Sequence, residues 1–184
     1  MYPFYHFLFC FLGTTGETVT VTCSTGYSGG GTATCGTNGQ FNTLTCKANT
    51  CTPYGNIANS NKASAGSITG TTTQSIKVTC DTGYSGGGTA TCQTNGQFNK
   101  LTCEANTCIP SGNIANSNRA SAKSIIGTTT QTVTVRCEAG YSGGGTATCG
   151  TNGEFNTLTC KANTCTPTHV TNSNKAAANT ITGT

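Results

Sequence analysis

Thirteen cysteines carry almost all the reactive chemistry in this chain of 184 residues. At such a density a thiol serves either as a thiolate ligand of structural zinc or as half of a disulfide. Zinc sites favour close pairs such as C-x-x-C, commonly with histidine. Here the closest neighbours, Cys46 and Cys51, Cys103 and Cys108, and Cys160 and Cys165, are each separated by four residues, and the only imidazoles are His6 and His169. The pattern therefore points to disulfides. General acid–base catalysis needs a carboxylate or imidazole held in a pocket. The five acids are Glu17, Asp81, Glu104, Glu138 and Glu154. They are too few for a calcium site, which takes six to eight oxygens. GYSGGG lacks the Gly-Lys-Ser/Thr continuation of a phosphate-binding loop and is expected to be a bend. No catalytic residue, cofactor or metal site is expected.

The elements that position these cysteines repeat. CSTGYSGGGTATCGTNGQFNTLTCKANTC begins at Cys23 and returns almost unchanged at Cys80 and Cys137, a period of 57 residues. The acids drift between copies, as a solvated surface would: Asp81 stands where Ser24 and Glu138 do, and Glu154 where Gln40 and Gln97 do. Two complete four-cysteine repeats result, 51-103 and 108-160. A partial repeat, 13-46, precedes them, and 165-184 opens a further one. Residues 1-12 match nothing else in the chain. Their apolar run, Phe7 to Leu12, is too short to span a bilayer and lacks preceding basic residues. It is expected to be a signal remnant or a mispredicted start.

Within a repeat the local pattern is β. In QSIKVTC (Gln74 to Cys80), Ile76, Val78 and Cys80 share one face and polar residues the other; Val19, Val21 and Cys23 do the same in TVTVTC. A short strand TATC follows the glycines. The Asn-Gly pairs at Asn38, Asn95 and Asn152 are expected to supply the positive φ angles of a tight hairpin turn. QFNKLTC is expected as a final strand to Cys103. The chain is only 34% apolar and 8% charged, both low for a globular protein. One large core is excluded. Each repeat offers Ile57, Ile76, Val78, Tyr84, Ala90, Phe98 and Leu101 as its core, too few to offset the ordering entropy of the chain around them. Cross-links constraining the unfolded state would contribute about 3.5–4 kcal/mol each, enough to decide whether a repeat folds. The basic residues are scattered, with no cluster for a polyanion, so no nucleic-acid partner is expected.

A strand ending Val-x-Cys, then C-x-x-G-Y, a glycine before the third cysteine, N-G-x-F after it and a closing cysteine resemble the sushi module, also called the complement control protein module or short consensus repeat. The resemblance covers nearly all of 13-184. It departs from the family in two places. Phe41, Phe98 and Phe155 replace a usual Trp, and the Pro often found before the closing cysteine is missing, with Leu44, Leu101 and Leu158 nearby. Cysteine arithmetic alone leaves three pairings open in each repeat. The resemblance implies first-to-third and second-to-fourth: Cys51 with Cys92, Cys80 with Cys103, Cys108 with Cys149, Cys137 with Cys160, and Cys23 with Cys46 in the partial repeat. Cys35 then lacks its usual partner, Cys10 is a weak candidate for it, and Cys165 is expected to be unpaired.

The expected architecture is all-β, with tandem small disulfide-stapled sushi-like β modules arranged as beads on a string and short linkers limiting motion between them. The expected role is non-enzymatic: a secreted or cell-surface array for binding or adhesion, recognising an extracellular protein or glycan, with no membrane insertion in this segment. Recognition is expected on the loops after each first cysteine, Thr52 to Ile57 and Ile109 to Ile114. The alternatives are a structural spacer in an extracellular coat or matrix, and a targeting arm of a larger multidomain protein. No Asn-x-Ser/Thr sequon occurs, while Thr71, Thr72 and Thr73 are candidates for O-linked sugar.

Overall fold

The computed structural model describes residues 14–182, and the N-terminal segment with Cys10 lies outside them. The described chain is all-β, with no helix. Each copy contributes four short strands. The partial repeat has β1 (Thr18–Val21), β2 (Tyr27–Gly29), β3 (Gly31–Thr34) and β4 (Cys46–Ala48). The first full repeat has β5 (Ser75–Val78), β6 (Tyr84–Gly86), β7 (Gly88–Thr91) and β8 (Cys103–Ala105). The second has β9 (Thr132–Val135), β10 (Tyr141–Gly143), β11 (Gly145–Thr148) and β12 (Cys160–Ala162). Strands pair alternately, first with third and second with fourth, into two-stranded sheets. Each repeat is thus two small ribbons linked by one continuous crossing segment.

That crossing segment is the glycine run, and it is more than the expected bend. Tyr84–Gly86 forms β6, Gly88 opens β7, and Gly86, Gly87 and Gly88 take φ values of 116°, 68° and 119°. Three successive residues in a region that L side chains avoid let the chain leave one ribbon and enter the other without a loop. Space demands glycine as well: a Cβ on Gly87 would lie 2.7 Å from Val78 O.

In two places the local structure differs from the expectation. Asn38, Asn95 and Asn152 do not take positive φ; Gly39, Gly96 and Gly153 do. The turn closes through Gly96 N donating to Gln93 O (3.0 Å) and Gln93 N to Gln97 O (2.8 Å), while Asn95 Oδ1 accepts from Gln97 N (3.0 Å). This is a four-residue turn with a left-handed glycine at its end, not a two-residue primed hairpin. QFNKLTC is not a strand either. Phe98 makes one isolated bridge with Cys92, after which Asn99 Oδ1 accepts from Thr91 N at 2.6 Å and ends the ladder with a side chain. Pairing resumes at Cys103, so the last strand of each repeat is the segment that leads out of it.

In the first full repeat, Ile57, Val78, Ala90 and Phe98 are buried with Cys51 and Cys92, and Ile76 and Leu101 pack against them. Tyr84, expected in the core, is half-exposed and outside this cluster. Ile68, not expected there, has no accessible surface. It arrives on the irregular stretch between the first two cysteines, where Tyr54 and Ile68 exchange two backbone hydrogen bonds of 2.9 and 2.8 Å. Asn56 and Asn59 turn that stretch at φ of 60° and 57°, and buried Ser60 donates to Ile57 O at 2.7 Å. Contacts divide the chain into two compact units. One runs up to Cys80 and includes Gly86–Cys103; the other holds Asp81–Ser85 and the chain from Glu104 onward.

Candidate functional site

Five disulfides join Cys23 to Cys46, Cys51 to Cys92, Cys80 to Cys103, Cys108 to Cys149, and Cys137 to Cys160. The two longer closures are the interior ones: Cys51, Cys92, Cys108 and Cys149 are each 1% exposed. The shorter ones join the two ribbons of a repeat nearer the surface. Cys35 sits buried with a free thiol in the place of Cys92 and Cys149, and Cys165 is free and exposed. Disulfides at this density require an oxidising compartment. Among the described residues no group of three or more His, Cys, Asp and Glu is placed to hold a metal ion. The acids Asp81, Glu104, Glu138 and Glu154 are all exposed, as is His169.

A second constant feature is a threonine clamp. In the first unit, Thr72 is 2% exposed and donates from Oγ1 to Gly26 O at 2.7 Å, while its N–H donates to Asn49 O at 2.8 Å. Asn49 N in turn donates to Gly26 O at 2.9 Å. Gly26 is bare for a reason: a Cβ there would lie 2.7 Å from Thr72 Cγ2 and 3.0 Å from Thr94 Cα. The second unit repeats the arrangement with Gly83, Asn106 and Thr129, the hydroxyl bond again 2.7 Å. Thr72, a sugar-bearing candidate from sequence, is therefore closed to modification in the folded chain, unlike exposed Thr73.

The largest change of side chain between the two full repeats lies after the first cysteine. In the first full repeat Tyr54 packs against the core, and its hydroxyl donates to Leu101 O (3.2 Å) and accepts from Leu101 N (3.1 Å). Beneath it Ile57 is 4% and Phe98 6% exposed. In the second full repeat serine stands in this position. The place is a cleft of about 350 Å³ lined by Ser111, Ile114, Ile125, Phe155, Thr157 and Leu158. Ile114 and Phe155, the counterparts of Ile57 and Phe98, are only half-buried. Among the described residues of this unit, Leu158 N–H and C=O have no hydrogen-bond partner.

Of the stretches expected to recognise a partner, Thr52 to Ile57 packs Tyr54 and Ile57 into its own core and leaves Thr52, Pro53 and Asn56 exposed, whereas Ser111 to Ile114 lines one wall of an open cleft. The opposite wall, Phe155 to Cys160, belongs to the closing segment, which sequence reasoning had assigned to packing alone. The substitution of Ser111 for Tyr54 was the available signal. Ile109 and Ile126, each 66% exposed, replace Thr52 and Thr69 of the first full repeat. They lie on the two segments joined by the Ser111–Ile125 bridge. Searches against protein-family models and curated proteins return no match to this chain.

Proposed function

We propose that the chain forms a secreted or cell-surface array of sushi-like modules that binds an extracellular protein or glycan without chemical conversion. The observation supporting this reading is the division between constant and variable parts. Disulfides, glycine crossings and threonine clamps repeat from copy to copy, and the positions that differ between the two full repeats, Tyr54 against Ser111 among them, are all exposed or half-buried. A repeated scaffold with a changeable surface suits recognition, and near-identical copies add avidity without new contacts.

A spacer role in an extracellular coat or matrix is the second reading, favoured by the clamp, which keeps the same geometry at both places where it occurs. The two separate on a biosensor. The oxidised full chain, immobilised and exposed to panels of extracellular proteins and glycans, is expected to give saturable binding that reduction and alkylation abolish. Binding to no panel member, together with self-association of the chain, would overturn the binding reading.

A further inference from the structure

We infer that the cleft of the second full repeat is a receptor for a tyrosine side chain presented by a partner polypeptide. This deepens the binding reading and rests on it. The protein itself supplies the template. In the first full repeat the equivalent place is taken by Tyr54, which packs against the buried cluster that holds Ile57, Ile68 and Phe98 and whose hydroxyl both donates to and accepts from the Leu101 backbone. The second repeat keeps the apolar walls of that place: Ile114, Ile125, Phe155 and Leu158 stand where those four stand. Along the lining the positions that differ are Ser111, where Tyr54 stands, and Thr157, where Lys100 stands. The backbone at Ser111 is unchanged, since Ser111 and Ile125 exchange hydrogen bonds of 2.9 and 3.0 Å as Tyr54 and Ile68 do.

The vacated volume is therefore shaped for a phenol, and the Leu158 N–H and C=O that would take its hydroxyl are unpaired in their unit. About 350 Å³ accommodates one aromatic side chain with part of its backbone. Exposed Ile109 and Ile126 lie on the two segments joined by the Ser111–Ile125 bridge, outside the cleft lining itself. The lining also sets Ser111, Asn113, Asn156, Thr157 and Thr159 beside the apolar walls, so a sugar is the competing occupant. The phenol is favoured by the Tyr54 template, and Asn156 is already bonded to the Thr146 and Thr148 backbone.

The test titrates the oxidised full chain, observed by amide and methyl NMR, with blocked Gly-Tyr-Gly, blocked Gly-Phe-Gly and N-acetylglucosamine. The tyrosine peptide is expected to give saturable shifts at the Leu158 amide and the Ile114, Ile125 and Leu158 methyls. Ile57, Ile68 and Leu101 should stay silent. The phenylalanine peptide should bind roughly five- to tenfold more weakly for want of the hydroxyl. Ser111→Tyr should abolish the response, and Tyr54→Ser should create a second one around Leu101, so the claim stays testable if either variant fails to fold. Equal affinity for the phenylalanine peptide, shifts from the sugar alone, or no response to any probe would overturn it. In the last case, saturable biosensor binding by the same preparation would leave the broader binding role standing.

Discussion

The two full repeats share a cysteine frame and differ in how well that frame is filled. In the first, Ile57 and Phe98 join Val78 and Ala90 in one buried cluster with Cys51 and Cys92. In the second, the buried cluster shrinks to Ile125, Val135 and Ala147, while Ile114 and Phe155 lie half-exposed at its edge. Tyr54, packed as a lid against the cluster that holds Ile57 and Phe98, is the side chain that Ser111 replaces. Both repeats nevertheless keep the same strand registers. Cross-links and ribbons set the fold, and the aromatic lid sets how much of the core is sealed.

The largest effect expected from this comparison comes from the interior disulfides. Each closes a long loop and contributes about 4 kcal/mol by constraining the unfolded chain. Replacing both Cys108 and Cys149 by serine should unfold the second repeat at moderate urea, whereas replacing both Cys51 and Cys92 should leave the better-filled first repeat partly protected. Hydrogen exchange at the Ile125 and Ile68 amides, hydrogen-bonded in their own repeats, reads the two separately. Equal loss of protection would show that Tyr54 adds nothing to local stability.

Next in size is the lid itself. Tyr54→Ser removes a half-buried ring and leaves the Leu101 backbone groups unpaired, a loss of roughly 2–3 kcal/mol. The reciprocal Ser111→Tyr should gain about 1 kcal/mol, since it fills an existing cavity. Repeat-resolved exchange should then show the two repeats trading places. If Tyr54→Ser costs under about half a kcal/mol, within the range of ordinary surface changes, the lid is ornamental.

Much of the fold was legible because its determinants are local. Alternation in SIKV and TVTV, and glycines at fixed offsets, announce short strands and sharp crossings. The stretch from Cys51 to Gln74 was less so. It has no period to read, and its structure depends on left-handed asparagines and on single bridges between residues well apart in sequence, which is why Ile68 was not expected in the core and buried Thr72 was expected to be open to modification. Asn99 explains the missing closing strand: nothing in its identity says that its amide oxygen will take a ladder position. The cleft was hidden for a related reason. Tyr54 and Ser111 are visible as a difference, but that Leu101 and Leu158 lie across from them follows only from the tertiary crossing.

A smaller effect tests the part that does not vary. Thr72→Val keeps the shape of the side chain and the N–H bond to Asn49 but deletes the hydroxyl that Gly26 O receives. The expected cost is about 1 kcal/mol, and Thr129→Val should cost the same in the second unit. Urea titration of each variant checks it. Unequal costs would mean that the clamp, like the lid, is tuned copy by copy.

The smallest expected effect concerns a backbone position that the two repeats solve differently. Gly66 takes φ of 67°, and its counterpart Lys123 takes 57°. Both are exposed. A lysine there carries the crowding of its Cβ against its own carbonyl, which costs an L-residue about 1 kcal/mol or more. Glycine avoids that crowding but loses more chain entropy on folding, so the two terms partly cancel. Lys123→Gly should therefore stabilise the second repeat by only about 0.5–1 kcal/mol, and Gly66→Lys should destabilise the first by a similar amount. Matched urea midpoints of opposite sign would show that this difference in backbone strain adds to the missing lid in making the second repeat the looser one. A destabilising Lys123→Gly would instead mean that the lysine side chain holds a contact worth more than the strain it imposes.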